Sequence, residues 1–112
     1  KLGPHPFSLR QLQYAVAVAE SLNFRNAAER CHVSQPSLSA QLAQMEKVLG
    51  FKLFERDRRS VLVTTAGRGL IEHARLILRE TDNLVEFARQ SGNPLAGTLR
   101  LGVIPTISPY LL

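Results

Sequence analysis

Apolar residues recur at helical spacing almost from the start of the chain, where Leu9, Leu12, Ala15, Val16 and Ala19 are interleaved with Arg10, Gln11, Gln13 and Glu20. Ser8 stands before this stripe as an N-cap, so the pattern predicts an amphipathic helix ending near Ser21. Asn23 caps a short second helix, Phe24 to Cys31, whose Ala27 and Ala28 are small enough for another helix to approach closely. His32 and Val33 form a tight connector. A third helix begins at Ser34, because Pro36 falls in a first turn where its missing N–H has no helical partner to lose. Leu38, Leu42, Met45 and Leu49 form its apolar stripe, Glu46 and Lys47 lie toward its polar side, and Gly50 supplies the left-handed stop. Its opposite face carries Ser37, Ala40, Gln41 and Gln44, and is short, polar and uncharged.

The periodicity then changes. Leu53 with Phe54, and Val61 to Val63, are two short apolar runs around a charged turn holding Arg56, Arg58 and Arg59, which reads as a hairpin. Glu55 is expected to pair with a nearby arginine. Thr64 or Thr65 caps a long helix over 65–91, with Gly92 as its stop and Pro94 beyond. Within it Leu70, Ala74, Ile77, Thr81, Leu84 and Ala88 are spaced alternately by four and three, the rhythm of a coiled-coil seam, and Ile71, Leu78 and Val85 widen the stripe. A second copy of the helix is the simplest cover for so broad a stripe; packing on its own domain is the alternative. Leu99, Leu101 and Val103 alternate with Arg100 and Gly102, predicting a strand. Residues 92–112 are therefore read as a hinge and the start of a truncated C-terminal regulatory domain. Residues 1–7, with two prolines and no initiator Met, are read as a terminal tail.

Composition narrows the picture. With 112 residues there is room for one small domain and an appended element, and a core of Leu, Val, Ile and Ala fits a chain that is 45% apolar but only 6% aromatic, without Trp. A net charge of +5 is compatible with a polyanionic partner. One cysteine, Cys31, allows no internal disulfide or cysteine-based metal site, and fits a reducing cytoplasm; it is expected to be a small buried thiol. His5, His32 and His73 are too scattered for a metal site, and no catalytic constellation or cofactor motif stands out. No run is long enough for a transmembrane helix, and no membrane partner is expected.

A slim polar helix face with donors and acceptors suits the major groove of double-stranded DNA, and Gln35, Ser37, Ser39 and Gln41 meet that need in the first turns of the third helix. Pro36 offers an apolar contact to a thymine methyl. The hairpin arginines can reach phosphates or the adjacent minor groove; for Arg59 a solvated turn charge is the competing reading. Between Phe24 and Thr64 a short Ala-rich helix, a tight turn, a Ser-Gln-Pro helix start and a basic hairpin follow in the order of a winged helix-turn-helix. The fold expected is mainly α: a winged helix-turn-helix over 8–64 with a long C-terminal dimerisation (linker) helix.

In that order NFRNAAE, VSQPSLS, LGFKLFER and VTTAG resemble the LysR-type transcriptional regulators from Leu9 through Gly67, and the long helix resembles their dimerising linker. The resemblance implies that Gln35, Pro36 and Ser39 face bases, that Ser34 and Ser37 serve the helix start and backbone contacts, that Arg10 and Arg25 contact phosphates, and that Arg59 enters the minor groove. Many members carry Arg where this chain has Ala40, so base preference does not transfer from them. RCHVSQPSLS, LFER and GVIPTISPYLL further resemble the peroxide-sensing OxyR branch. The resemblance thus implies a non-enzymatic regulator of the oxidative stress response that binds promoter DNA as a homodimer through Leu70, Ala74, Ile77, Thr81, Leu84 and Ala88, with a tetramer open to a longer protein. A regulator answering a small-molecule effector, a winged-helix protein-interaction module and a thiol enzyme built on Cys31 are the competing readings.

Overall fold

The computed structural model describes residues 4–57 and 59–92. Three helices, α1 (Leu9–Ser21), α2 (Phe24–Arg30) and α3 (Gln35–Leu49), precede a hairpin of β1 (Phe54–Arg56) and β2 (Val61–Val63), and α4 (Thr65–Gly92) follows. The strands are antiparallel, with Phe54 opposite Val63, Glu55 opposite Leu62 and Arg56 opposite Val61. The chain divides between Leu78 and Arg79 into two units.

Helix boundaries follow from capping. Ser8 Oγ accepts from the Gln11 N–H (3.1 Å) while Gln11 Oε1 accepts from the Ser8 N–H (2.9 Å), a reciprocal box that satisfies two otherwise orphaned donors. Asn23 Oδ1 accepts from the Asn26 N–H at 2.8 Å, and Ser34 Oγ from the Ser37 N–H at 3.2 Å. Each such cap is worth about 1 kcal/mol. Gly50, at φ +86°, ends α3 in the left-handed conformation that glycine adopts without penalty.

In the first unit Leu12, Val18, Phe24, Ala27, Leu38, Leu42, Met45, Leu53, Phe54 and Ile71 are buried against one another. Glu46 anchors the hairpin to α3, its carboxylate accepting the Leu53 N–H at 2.7 Å. Thr64 joins hairpin to α4: its hydroxyl donates to the Lys52 carbonyl (2.7 Å) and accepts from the Gly67 N–H (2.9 Å). Gly67 lies so close to the Leu53 carbonyl that a Cβ would stand 2.5 Å from its oxygen. Only glycine lets α4 start there.

Several expectations need correction. Ala74, assigned to the dimer seam, is 1% exposed and belongs to the domain's own core with Ile71, against which Leu70 and Leu78 also pack. The first turns of α4 thus spend their stripe inside the domain. Phe7, placed in the tail, packs on the same core. Gln11, read as a polar surface position, is 6% exposed, whereas Leu9 in the supposed stripe is exposed. Gly92 is itself helical. Arg58 and the strand expected over 99–103 lie outside the described residues.

In the second unit the helix from Arg79 onward is held by local side-chain bonds, Asn83 to Glu80 (3.3 Å), Arg89 to Glu86 (2.8 Å) and Gln90 to Glu86 (3.2 Å). Its apolar side chains Leu84, Val85 and Phe87 are exposed, Phe87 to 67%. Phe87 was not part of the predicted stripe.

Candidate nucleic-acid interface

Helix α3 turns Leu38, Leu42 and Met45 into the core, so the remainder of its surface is what a ligand can meet. Gln35, Pro36, Ser37, Ala40 and Gln44 are exposed there. Ser39 is half-buried, at the edge of an open groove that it lines with Leu42, Ala43, Lys52 and Phe54. In the first turn Pro36 has no N–H, the Ser37 N–H is taken by Ser34 Oγ, and the Leu38 N–H by the Ser34 carbonyl at 3.1 Å. Among the described residues this leaves the Gln35 N–H as the open backbone donor at the positive end of the helix dipole. For an anion that terminus therefore offers one backbone donor, not a cradle.

The hairpin turn is built by Asp57. Its Oδ1 accepts from the Arg59 N–H (2.8 Å), the Ser60 N–H (2.9 Å) and the Ser60 hydroxyl (3.2 Å). Those bonds, the Arg59 N–H foremost and then the Ser60 N–H and hydroxyl, hold its carboxyl below the usual carboxylate range. The Arg59 side chain stays exposed. The acid that dilutes the turn's positive charge thus fixes the backbone that carries Arg59. From the strand pair next to the turn the Arg56 guanidinium lies 4.0 Å above the Phe24 ring, which meets Phe54 edge-on at 6.1 Å. Arg56 thereby ties the hairpin to α2.

Arginines divide into two groups. Glu20 holds Arg30 (3.5 Å) and Arg75 (3.3 Å), and Glu86 holds Arg89, whereas Arg10, Arg25, Arg56, Arg59, Arg68 and Arg79 are exposed and outside the ion pairs of the described residues. Arg10 stands in the first turn of α1 and Arg25 in that of α2. Glu55, expected to pair with an arginine, makes no ion pair among the described residues. Cys31 caps α2, half-buried; burial pushes its thiol pKa up and nearby Arg30 offsets part of that, so the thiolate is disfavoured at neutral pH. No group of three His, Cys, Asp or Glu among the described residues is placed to hold a metal ion, and no helix there is long and apolar enough to cross a membrane.

Residues 9–68 match the family described as bacterial regulatory helix-turn-helix protein, lysR family. The chain belongs to the LysR family. Among its relatives is a hydrogen peroxide-inducible genes activator of Pectobacterium carotovorum subsp. carotovorum, 51% identical over 105 residues, 94% of this chain but 35% of the relative. The chain spans about a third of the curated relatives it matches. Two solved LysR-type structures resemble it: a full-length OxyR variant from Pseudomonas aeruginosa (TM-score 0.76, 38% identity, 80% of this chain and 30% of that one) and a CbnR DBD–DNA complex (TM-score 0.71, 39% identity, 78% of this chain and all of that one). The LysR family is one of transcriptional regulators rather than a class of enzymes, and the mainly helical fold with a two-stranded wing and a long terminal helix is the one it shares with these structures.

Sequence reasoning missed the residues that hold this LysR-type unit in shape: Gln11, Glu46, Asp57 as a turn-builder, the Arg56–Phe24 stack and Gly67. A signal existed for two of them. Ser8 with Gln11 is a capping-box spacing, and Asp57 two residues before Arg59 is an Asx-turn spacing.

Proposed function

We propose that this chain is the promoter-reading end of a cytoplasmic LysR-type regulator of the peroxide response, binding double-stranded DNA sequence-specifically as a homodimer. The observation that carries the reading is the pairing of an exposed, uncharged α3 face with cations left outside the domain's ion pairs. Gln35 and Pro36 read base edges in the major groove, with Ser39 at the groove's margin. Ser34 and Ser37 order the helix start, Arg10 and Arg25 grip phosphates, and Arg59 enters the minor groove. Ile77, Thr81, Leu84 and Ala88 join two copies, with Leu70 at the edge of that contact. Likeness to a DNA-bound LysR-type domain supports the reading, and about 50% identity to peroxide-responsive activators supports the branch. A sensor of peroxide would lie outside this chain, since Cys31 is a partly shielded, high-pKa thiol.

Fluorescence anisotropy on duplexes selected from a randomised pool tests this. Expected are tighter binding to the selected duplex than to its scrambled sequence and an affinity that falls steeply with added salt. Equal binding to both duplexes overturns the reading. Gln35→Ala should relax preference at particular base pairs, while Arg25→Ala should weaken binding evenly across sequences.

A further inference from the structure

Gln11 is a buried polar residue that the DNA-reading scheme leaves unused. Its carboxamide spans two helices: Oε1 accepts the Ser8 N–H at 2.9 Å, and Nε2 donates to Gln41 Oε1 at 3.1 Å and to the Gln41 backbone carbonyl at 3.3 Å. An amide's O and N are assigned from the groups around it, and here those groups leave one assignment. A backbone N–H can only donate, so Gln11 must turn its oxygen to Ser8. A backbone carbonyl can only accept, so Gln11 must turn its NH2 to α3. Gln41 in turn must offer Oε1 to Gln11. Its own NH2 is left outward on an exposed residue one turn after Ser37, and donates to no described residue.

We infer that Gln11 is a positioning residue that presets Gln41 as a donor-only contact to an acceptor oxygen of bound DNA, through the chain Ser8 N–H to Gln11 to Gln41. This inference rests on the DNA-binding reading above. A free glutamine amide can present either its oxygen or its nitrogen to a ligand; this one presents only N–H. It selects phosphate oxygens, or acceptors on a base edge such as guanine O6 or thymine O4, and rejects base amino groups. Gln11 is 6% exposed, which shields its end of the relay from water, and its two donated bonds bias the exposed Gln41 amide before DNA arrives.

A double-mutant cycle tests it, using the full 112-residue chain and the duplex that it selects from a randomised pool. Gln41→Ala should weaken binding about fivefold, the size of one ordinary hydrogen bond, with the helical circular dichroism of the folded chain retained. Gln11→Glu keeps the acceptor for the Ser8 N–H but faces Gln41 with oxygen, so it should reverse the Gln41 amide and weaken binding by at least as much. In the Gln41→Ala background Gln11→Glu should add little, whereas a mere effect of added negative charge would persist there in full. If Gln11→Glu unfolds, Gln11→Met decides: it adds no charge, removes the donor that holds Gln41 Oε1, and should weaken binding in the otherwise wild-type chain but add little in the Gln41→Ala background. A loss uniform over single-base variants of the duplex identifies a phosphate contact, and a loss confined to one base pair identifies a base edge. Unchanged binding by Gln41→Ala, or independent effects in the cycle, overturns the inference while wild-type selectivity keeps the DNA-binding reading intact. Absence of wild-type selectivity overturns both.

Discussion

Helix α3 and the stretch of α4 beyond Arg79 both carry large apolar side chains, yet Leu38, Leu42 and Met45 are buried while Leu84, Val85 and Phe87 are exposed. Spacing alone says that a helix has an apolar face; it does not say whether the chain itself supplies the cover. In α3 the cover comes from α1, α2 and the hairpin's base. In the distal helix large apolar residues are exposed, and in the homodimer proposed above a second copy of the helix covers them. Under that proposal the buried stripe of α3 is damaged through folding and the exposed stripe of the distal helix through assembly.

Leu38→Ala and Leu84→Ala should separate those roles most sharply. Removing the fully buried Leu38 side chain should cost about 3 kcal/mol of unfolding free energy in urea, since the cavity cannot fill from solvent. Leu84, 64% exposed, should change the unfolding of the monomer by no more than about 0.5 kcal/mol. Leu84→Glu should instead move the sedimentation boundary from dimer toward monomer. A dimer that survives Leu84→Glu together with Phe87→Glu would break the comparison.

Gly67 and Gly69 sharpen it on one helix. A Cβ on Gly67 would meet the Leu53 carbonyl, so Gly67→Ala should destabilise the domain by about 2 kcal/mol as backbone moves apart. At Gly69 a Cβ meets nothing within 4 Å, and Gly69→Ala should stabilise by up to about 1 kcal/mol through helix propensity. Paired thermal melts read both signs.

These cases also mark what was legible beforehand. Ser8, Asn23, Ser34 and Gly50 act on backbone groups within a few residues, so they could be placed from the sequence, and the two runs around Arg59 gave the hairpin. The capping bond of Gln11 to Ser8 was within reach of the same reasoning, but its bond to Gln41 was not, because that partner lies thirty residues away and only packing shows that a glutamine is buried. Ala74 failed for a related reason. A four-three spacing runs unbroken from Leu70 to Ala88, while its first turns face the domain and its last turns face solvent. Of the residues proposed to face DNA, Gln35, Pro36, Ser37, Arg10, Arg25 and Arg59 lie exposed, whereas the half-burial of Ser39 depended on the depth of α3 in the fold.

Replacing the stacked Arg56 should have a smaller effect. Arg56→Gln should lower stability by about 0.5 to 1 kcal/mol, the scale of an exposed cation–π contact, and loosen the hairpin against α2. Methyl and amide NMR shifts near Phe24 and Phe54 would register that change even where the melting temperature moves little.

The smallest effect concerns the Asp57 clamp, and its sign follows from the direction of the shift. The folded-state carboxyl titrates below its unfolded value because the charged form is held by the Arg59 and Ser60 donors. Its contribution is therefore complete above the ordinary carboxylate range and disappears as pH falls through the lowered folded pKa. The amide signals of Arg59 and Ser60 should shift together through that acidic transition, at a pH below where an unstructured aspartate titrates. Asp57→Ala should abolish the transition and, at neutral pH, reproduce the acid-state amide shifts without melting the helices. Because Arg59 rides on this turn, the same substitution should weaken binding to the selected duplex less than Arg59→Ala does. A loss as large as that of Arg59→Ala would mean that the turn's geometry, and not only its charge, carries the minor-groove contact proposed for Arg59.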